Sequence, residues 1–198
     1  MNPVHPIEAD SYRILASRID LSRWAPGDRD VVARMVHATA DESFATTALV
    51  GHEAVVSAVA ALRDGAVVVC DARMVLAGIT SVQRALCLLD EVPVAPPAST
   101  RSAAAIRLAA RRHPEGAVWV VGNAPTALAE LVAIHGAGEL SPAAIIGLPV
   151  GYVGAAEAKE DLWSSALQPV SITNTGPRGG SAVAAAALNA IHRLAVDQ

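Results

Sequence analysis

Apolar positions along this chain change their period after residue 65. Before it they recur at helical spacing. Ile7, Tyr12, Leu15 and Ile19 predict a short helix over residues 5–19, with Ser11 on its polar side. Val31, Val32, Met35 and Val36 predict a second helix, opened by Pro26-Gly27 and ending before Thr39-Ala40-Asp41. Val55, Val59 and Leu62 predict a third, which follows Gly51 and stops at Asp64-Gly65. Beyond that point the unit becomes strand, turn and helix. Continuous apolar runs at residues 66–70, 117–121, 143–147 and 170–173 lead respectively into Asp71-Ala72-Arg73-Met74, Gly122-Asn123-Ala124-Pro125-Thr126, Pro149-Val150-Gly151-Tyr152-Val153-Gly154 and Asn174-Thr175-Gly176-Pro177-Arg178-Gly179-Gly180-Ser181. Helices are expected over residues 127–134 and in a closing stretch with Val183, Ala187, Ile191 and Leu194 on one face. Between the first two units, Pro93, Pro96 and Pro97 mark a surface loop over residues 91–99, and Thr100-Arg101-Ser102 opens an alanine-rich helix to about Arg112.

Uninterrupted apolar strands alternating with helices predict an α/β fold with a mainly parallel sheet covered on both faces. Every strand-to-helix turn of such a sheet lies at its carboxyl edge, where ligands bind. No linker divides the chain, so residues 1–198 are expected to form a single domain. Composition agrees: 53% of the 198 residues are hydrophobic but only 3% are aromatic, which leaves Ala, Val, Leu and Ile to build the core.

Charge and motifs narrow the function by exclusion. The net charge is −4 with no basic tract, so nucleic acid is not an expected partner. No apolar run reaches the roughly 18 residues of a membrane span, and Glu8 and Asp10 stand where a secretory signal would be basic and then apolar. Cys70 and Cys87 are isolated thiols, a pattern of the reducing cytoplasm, and read as small buried apolar residues. The histidines His5, His37, His52, His113, His135 and His192 show no HExxH or HxH spacing, so no metal site is expected. A P-loop is absent, no GxGxxG follows the first strand, and Ser181 lacks the second glycine of a GxSxG elbow.

Two features remain. Gly176 to Ser181 is a turn in which glycines let the backbone approach a ligand and the next helix offers its N–H groups to an anion. Arg178 adds a guanidinium fork suited to a carboxylate or phosphate. The turn reads equally as a tight packing element. His37 lies at the edge of its helix's apolar stripe, near the carbonyl end that favours positive charge; it reads either as functional or as a surface or structural residue. Lys159 and Glu157 read as solvated helix residues or a local ion pair.

Met35-Val36-His37, Gly122-Asn123-Ala124-Pro125-Thr126-Ala127-Leu128, Pro149 through Glu157 and Gly179-Gly180-Ser181-Ala182 together resemble the precorrin-8X methylmutase (precorrin isomerase) family. Pro6-Ile7-Glu8-Ala9-Asp10-Ser11-Tyr12, Cys70-Asp71 and Thr100-Arg101-Ser102 fit the same pattern, so the likeness spans nearly the whole chain in order. The resemblance implies a three-layer α/β/α domain, a homodimer, and an isomerase of cobalamin biosynthesis. Such an enzyme moves a methyl group from C11 to C12 of a corrinoid acid and holds the product tightly. No cofactor is implied, and the expected compartment is the cytoplasm. His37 matches the family's active histidine and Ser11 its substrate-contacting serine. The other expected substrate contacts are Thr39, Arg73, Arg101, Asn123, Gly151, Asn174, Arg178, Gly179, Gly180 and Ser181.

Three departures stand out: Tyr152 where phenylalanine is commoner, Ala158 where serine is, and Pro177 in a turn that is usually more basic. The stretch over residues 78–100 is also short for the family. Whether the substrate is metal-free or carries cobalt is open. Two rivals are a corrinoid carrier without turnover, against which His37 argues, and a nucleotide-binding α/β enzyme, against which the missing phosphate motifs argue.

Overall fold

The computed structural model describes residues 6–80 and 82–196. Its centre is a six-stranded sheet in the order β1-β6-β5-β4-β2-β3. The strands are β1 (Ala48–Val50), β2 (Val68–Cys70), β3 (Ala85–Leu86), β4 (Val118–Val121), β5 (Ala144–Gly147) and β6 (Ser171–Asn174). All neighbours run parallel except β1, which pairs antiparallel with β6, setting Ala48 opposite Asn174. The mainly parallel sheet expected from the apolar runs is therefore present.

Successive strand residues face opposite layers. Val68, Cys70, Val118, Val120, Ile146 and Ile172 enter one core with α2 (Pro26–Thr39), α4 (Ala54–Arg63), α5 (Arg73–Gly78) and α9 (Ser181–Val196). Val69, Trp119, Val121 and Ile145 enter the other, with α6 (Arg101–Arg112), α7 (Pro125–Gly136) and α8 (Ala155–Ser164). Burial on both faces explains why the strands read as continuous apolar runs. The result is three layers, α/β/α.

The first helix, α1 (Pro6–Arg18), departs from expectation. Its expected start at residue 5 lies outside the described residues. No residue of α1 is buried, and Ile7 is 73% exposed. The helix rides on the outside of α2, with only Leu15 leaning on the core from its own span. Its polar edge makes the specific contacts, so its apolar spacing does not report a core-facing stripe. β1 and β3 escaped the sequence reading because strands of three and two residues are too short to show a period. A short helix, α3 (Phe44–Thr47), also lies between α2 and β1.

Candidate functional site

His37 sits in the last turn of α2. Its Nδ1 lies 2.9 Å from Ser11 Oγ, and Tyr12 stacks on the imidazole with ring centroids 4.8 Å apart and planes 10° from parallel. Among the described residues Nε2 has no hydrogen-bond partner. α1 is held over this ring by charge: Arg34 donates to Glu8 Oε1 at 2.9 Å and to the Tyr12 hydroxyl at 3.4 Å, and Arg193 approaches the same Glu8 oxygen at 3.5 Å. The sequence reading placed Tyr12 among the apolar positions of α1; its role as the lid on His37 became visible only in three dimensions.

α2 ends where Ala40 turns left-handed at φ 51. Thr39 spends its hydroxyl on this ending, donating to Met35 O at 2.8 Å and accepting from Asp41 N–H at 3.3 Å. Asp41 then reaches the 176–181 turn by pairing with the Arg178 guanidinium, and its other oxygen accepts from Ser43 N–H at 3.0 Å. Burial pushes the Asp41 carboxyl up, but the bonds from Ser43 and Arg178 outweigh it and hold the group below its ordinary value. β1 enters the sheet beside the end of β6, so the His37 end of α2 and the 176–181 turn share the carboxyl edge.

At that edge the turns after β5 and β6 are joined. Gly180 N–H donates to Leu148 O at 2.8 Å, and Gly151 N–H donates to Pro177 O at 3.1 Å. A Cβ on Gly179 would fall 2.3 Å from Leu148 O, and Gly180 has φ 134, so neither position accepts a side chain without strain. Ser181 Oγ is buried and has no hydrogen-bond partner among the described residues, a donor and acceptor held at the first turn of α9. The β5 turn also presents Tyr152 at 99% exposure, alongside exposed Val150 and Val153.

Lys159 reverses its sequence reading. It is 1% exposed, and its ammonium donates to Asn174 Oδ1 at 3.1 Å and Arg178 O at 2.6 Å. Asn174 is buried with it and donates to Thr175 O at 3.0 Å and Arg178 O at 3.1 Å, so its side chain braces the turn from behind. Burial depresses the Lys159 ammonium to about 8. A signal was present: Ala155, Ala158, Lys159 and Leu162 fall at i, i+3, i+4 and i+7, which is the buried stripe of α8.

The turn after β4 is built differently. Asp71, 1% exposed at the end of β2, accepts N–H bonds from Gly122 at 3.0 Å, Asn123 at 2.9 Å and Ala124 at 2.7 Å. Burial pushes its carboxyl up, and the three donors oppose that push because they bond best to the ionised form. The N–H groups expected to receive a ligand are thus occupied by the protein's own carboxylate; the Asn123 side chain itself is exposed. Farther along the edge, Arg73 pairs with Asp90, and Arg101 donates to Val92 O at 2.7 Å and Leu89 O at 3.0 Å, fastening the proline-rich loop. No hydrogen bond or ion pair among the described residues joins these two arginines to the His37 cluster.

A cavity of about 970 Å³ opens between α1, α2 and the last turns of α9. It reaches Tyr12 and Arg34 but runs on to Asn189, Arg193 and Val196, and no residue of the glycine-rich turns lines it. The candidate site is placed instead at the sheet edge where the Asp41–Arg178 pair ties the end of α2, which carries His37, to the joined turns.

The family model for precorrin-8X methylmutase matches residues 6–194. The chain is 39% identical over 193 residues to a precorrin-8X methylmutase of Sinorhizobium sp, covering 92% of this chain and 91% of that one. It is also 39% identical over 183 residues to the cobalt-precorrin-8 methylmutase of Methanothermobacter thermautotrophicus, covering 90% and 86%. A crystal structure of precorrin-8X methylmutase from Thermus thermophilus superposes with a TM-score of 0.86 at 35% identity, covering 96% of both chains.

Proposed function

The chain belongs to the precorrin-8X methylmutase family, and from that premise we propose that it is the isomerase that moves a methyl group from C11 to C12 of precorrin-8X or cobalt-precorrin-8, giving hydrogenobyrinate or cobyrinate. The observation that carries this reading is His37, fixed on one nitrogen by Ser11 and unpartnered on the other, at the edge where the β5 and β6 turns meet.

The reaction is a formal [1,5]-sigmatropic shift. One carbon–carbon bond breaks at C11 and one forms at C12, with no net gain or loss of protons or electrons, so it calls for no redox partner. A proton placed on a nitrogen of the conjugated ring draws electrons from C11 and C12 and lowers the barrier; it must be returned once the methyl has moved. In the imidazolium, the form that can give up a proton, Nδ1–H donates to Ser11 Oγ, and the proton on Nε2 is left without a hydrogen-bond partner among the described residues. Tyr12, stacked on the ring, fixes its plane. His37 then gives and recovers the proton from Nε2 as a general acid and base.

The corrinoid carries several acetate and propionate arms. The N-terminal backbone of α9, with Arg178 and Ser181, holds one or more of them at the 176–181 turn, while Gly151 keeps the approach open and Gly179 lets that turn pack against the β5 turn. Arg73, Arg101, Asn123 and Thr39 are assigned to the rim of the same site, the two arginines reaching arms on the far side of the ring. The working form is a homodimer with the site near the subunit boundary; Tyr152, Val150 and Val153, exposed beside the turns, are the apolar surface such a contact would cover. No helix among the described residues is long and apolar enough to cross a membrane, and we place the enzyme in the cytoplasm as one domain spanning residues 1–198.

Relatives named for each substrate are equally identical to this chain, so the decisive experiment takes both. Purified protein incubated with precorrin-8X and with cobalt-precorrin-8 should convert at least one of them, followed by the change in visible spectrum. Binding of both without conversion would make the chain a corrinoid carrier. Sedimentation showing an active monomer at micromolar concentration would overturn the dimer.

A further inference from the structure

We propose that Lys159 is a positioning residue for the site above: its buried ammonium, seated behind the 176–181 turn, holds that turn open and gives it a preference for carboxylate arms over uncharged ones. The inference rests on the reading of that turn as the seat of a corrinoid carboxylate.

A buried ammonium normally stands beside a carboxylate, because desolvating a lone charge is costly. Lys159 is 1% exposed and has neutral acceptors only, Asn174 Oδ1 and Arg178 O. No carboxylate lies within ion-pair distance of it among the described residues. On α8 itself Glu157, Glu160 and Asp161 are exposed and point away from the buried stripe. α7, packed against α8, brings Glu130, which pairs with Arg107, and His135, whose Nδ1 lies 2.8 Å from Leu140 O. β6 carries no ionisable residue, and the Arg178 guanidinium is turned to Asp41.

Among the described residues the charge is thus uncompensated, and the turn it braces leads into α9, whose first residue, Ser181, has a buried hydroxyl with no hydrogen-bond partner among those residues. A carboxylate seated on the turn supplies the missing anion. It favours the ammonium over the free amine, and by linkage the free protein takes up a proton on binding when the pH is near or above 8.

The test uses the intact protein with cobyrinate, whose arms are free carboxylates, and with the same ring carrying carboxamide arms. Dissociation constants are measured from pH 7 to 9.5, a range in which the arms stay ionised. For the wild-type protein, cobyrinate should bind roughly tenfold more weakly at the top of the range than at the bottom, while the amide form should bind without change. Lys159→Met should bind cobyrinate roughly tenfold more weakly than wild type at pH 7, lose the pH dependence, and bind the amide form as wild type does. Equal losses for both ligands would mean that Lys159 merely supports the turn, and a flat wild-type profile would overturn the charge role without any variant. Failure of wild-type protein to bind cobyrinate and hydrogenobyrinate alike at any pH would defeat the site reading itself and the Lys159 role with it.

Discussion

Two strand-to-helix turns at one sheet edge, each containing glycine and proline, have opposite electrostatic partners. The turn after β4 has a buried carboxylate, Asp71, in front of its N–H groups. The turn after β6 has a buried ammonium, Lys159, behind it, and among the described residues no carboxylate accepts from its N–H groups as Asp71 does in the first. The first is closed by the protein's own charge, so its role is to fix the edge of the sheet. The second has a cation on its inner side and joins, through Arg178 and Asp41, to the end of the helix that carries His37. A strand–turn–helix pattern with glycines therefore reports where a backbone can receive an anion; the residue on the neighbouring element decides whether that anion comes from within.

The contrast breaks most visibly at Asp71. Asp71→Ala leaves three N–H donors, one buried and two half-buried, without their acceptor and should cost roughly 1–3 kcal/mol, read as a lower urea midpoint, with Asp71→Asn losing less because one oxygen remains. If stability is unchanged, the β4 turn is not closed from within. On the open turn, Arg178→Ala should weaken cobyrinate binding by roughly 1.5–3 kcal/mol and leave turnover at saturating substrate largely intact. Asp41→Asn keeps the guanidinium and should weaken binding less. Equal losses from the two would show that Arg178 serves only to tie the turn to α2.

Ser11→Ala should have a smaller effect, about 0.5–1.5 kcal/mol, seen in the single-turnover rate if the hydroxyl, bonded to Nδ1, orients the imidazolium for proton transfer from Nε2. The smallest expected effect is in acid. Asp41 is held below its ordinary value, so its pairing with Arg178 contributes fully above the unfolded value of about 4 and is lost as the pH falls through the depressed folded value. The stability difference between wild type and Arg178→Ala, about 0–1 kcal/mol for a partly exposed pair, should therefore vanish once the pH has fallen below the depressed folded value. A difference that persists there would assign it to packing.

The parallel strands were legible because burial on both faces leaves an unmistakable run, as at Ala117-Val118-Trp119-Val120-Val121. His37 and the 176–181 turn were legible as local patterns, and the order of the motifs carried the family. What local pattern does not encode is pairing across distance. Arg178 looked free for a ligand until Asp41, far away in sequence, met it at the same edge. Asp71 read only as the first residue of a turn until three N–H groups converged on it. Lys159 carried a usable signal in its spacing with Ala155, Ala158 and Leu162, but a lysine on a buried stripe is rare enough that solvation is the default expectation.

The role of His37 admits the most direct test. Product dissociation constant and single-turnover rate are measured on His37→Ala. If the imidazole is the proton donor and acceptor, the variant folds and binds cobyrinate near the wild-type constant while turnover falls by roughly 10²-fold or more. Near-normal turnover with weakened binding would contradict it and make His37 an anchor for the macrocycle.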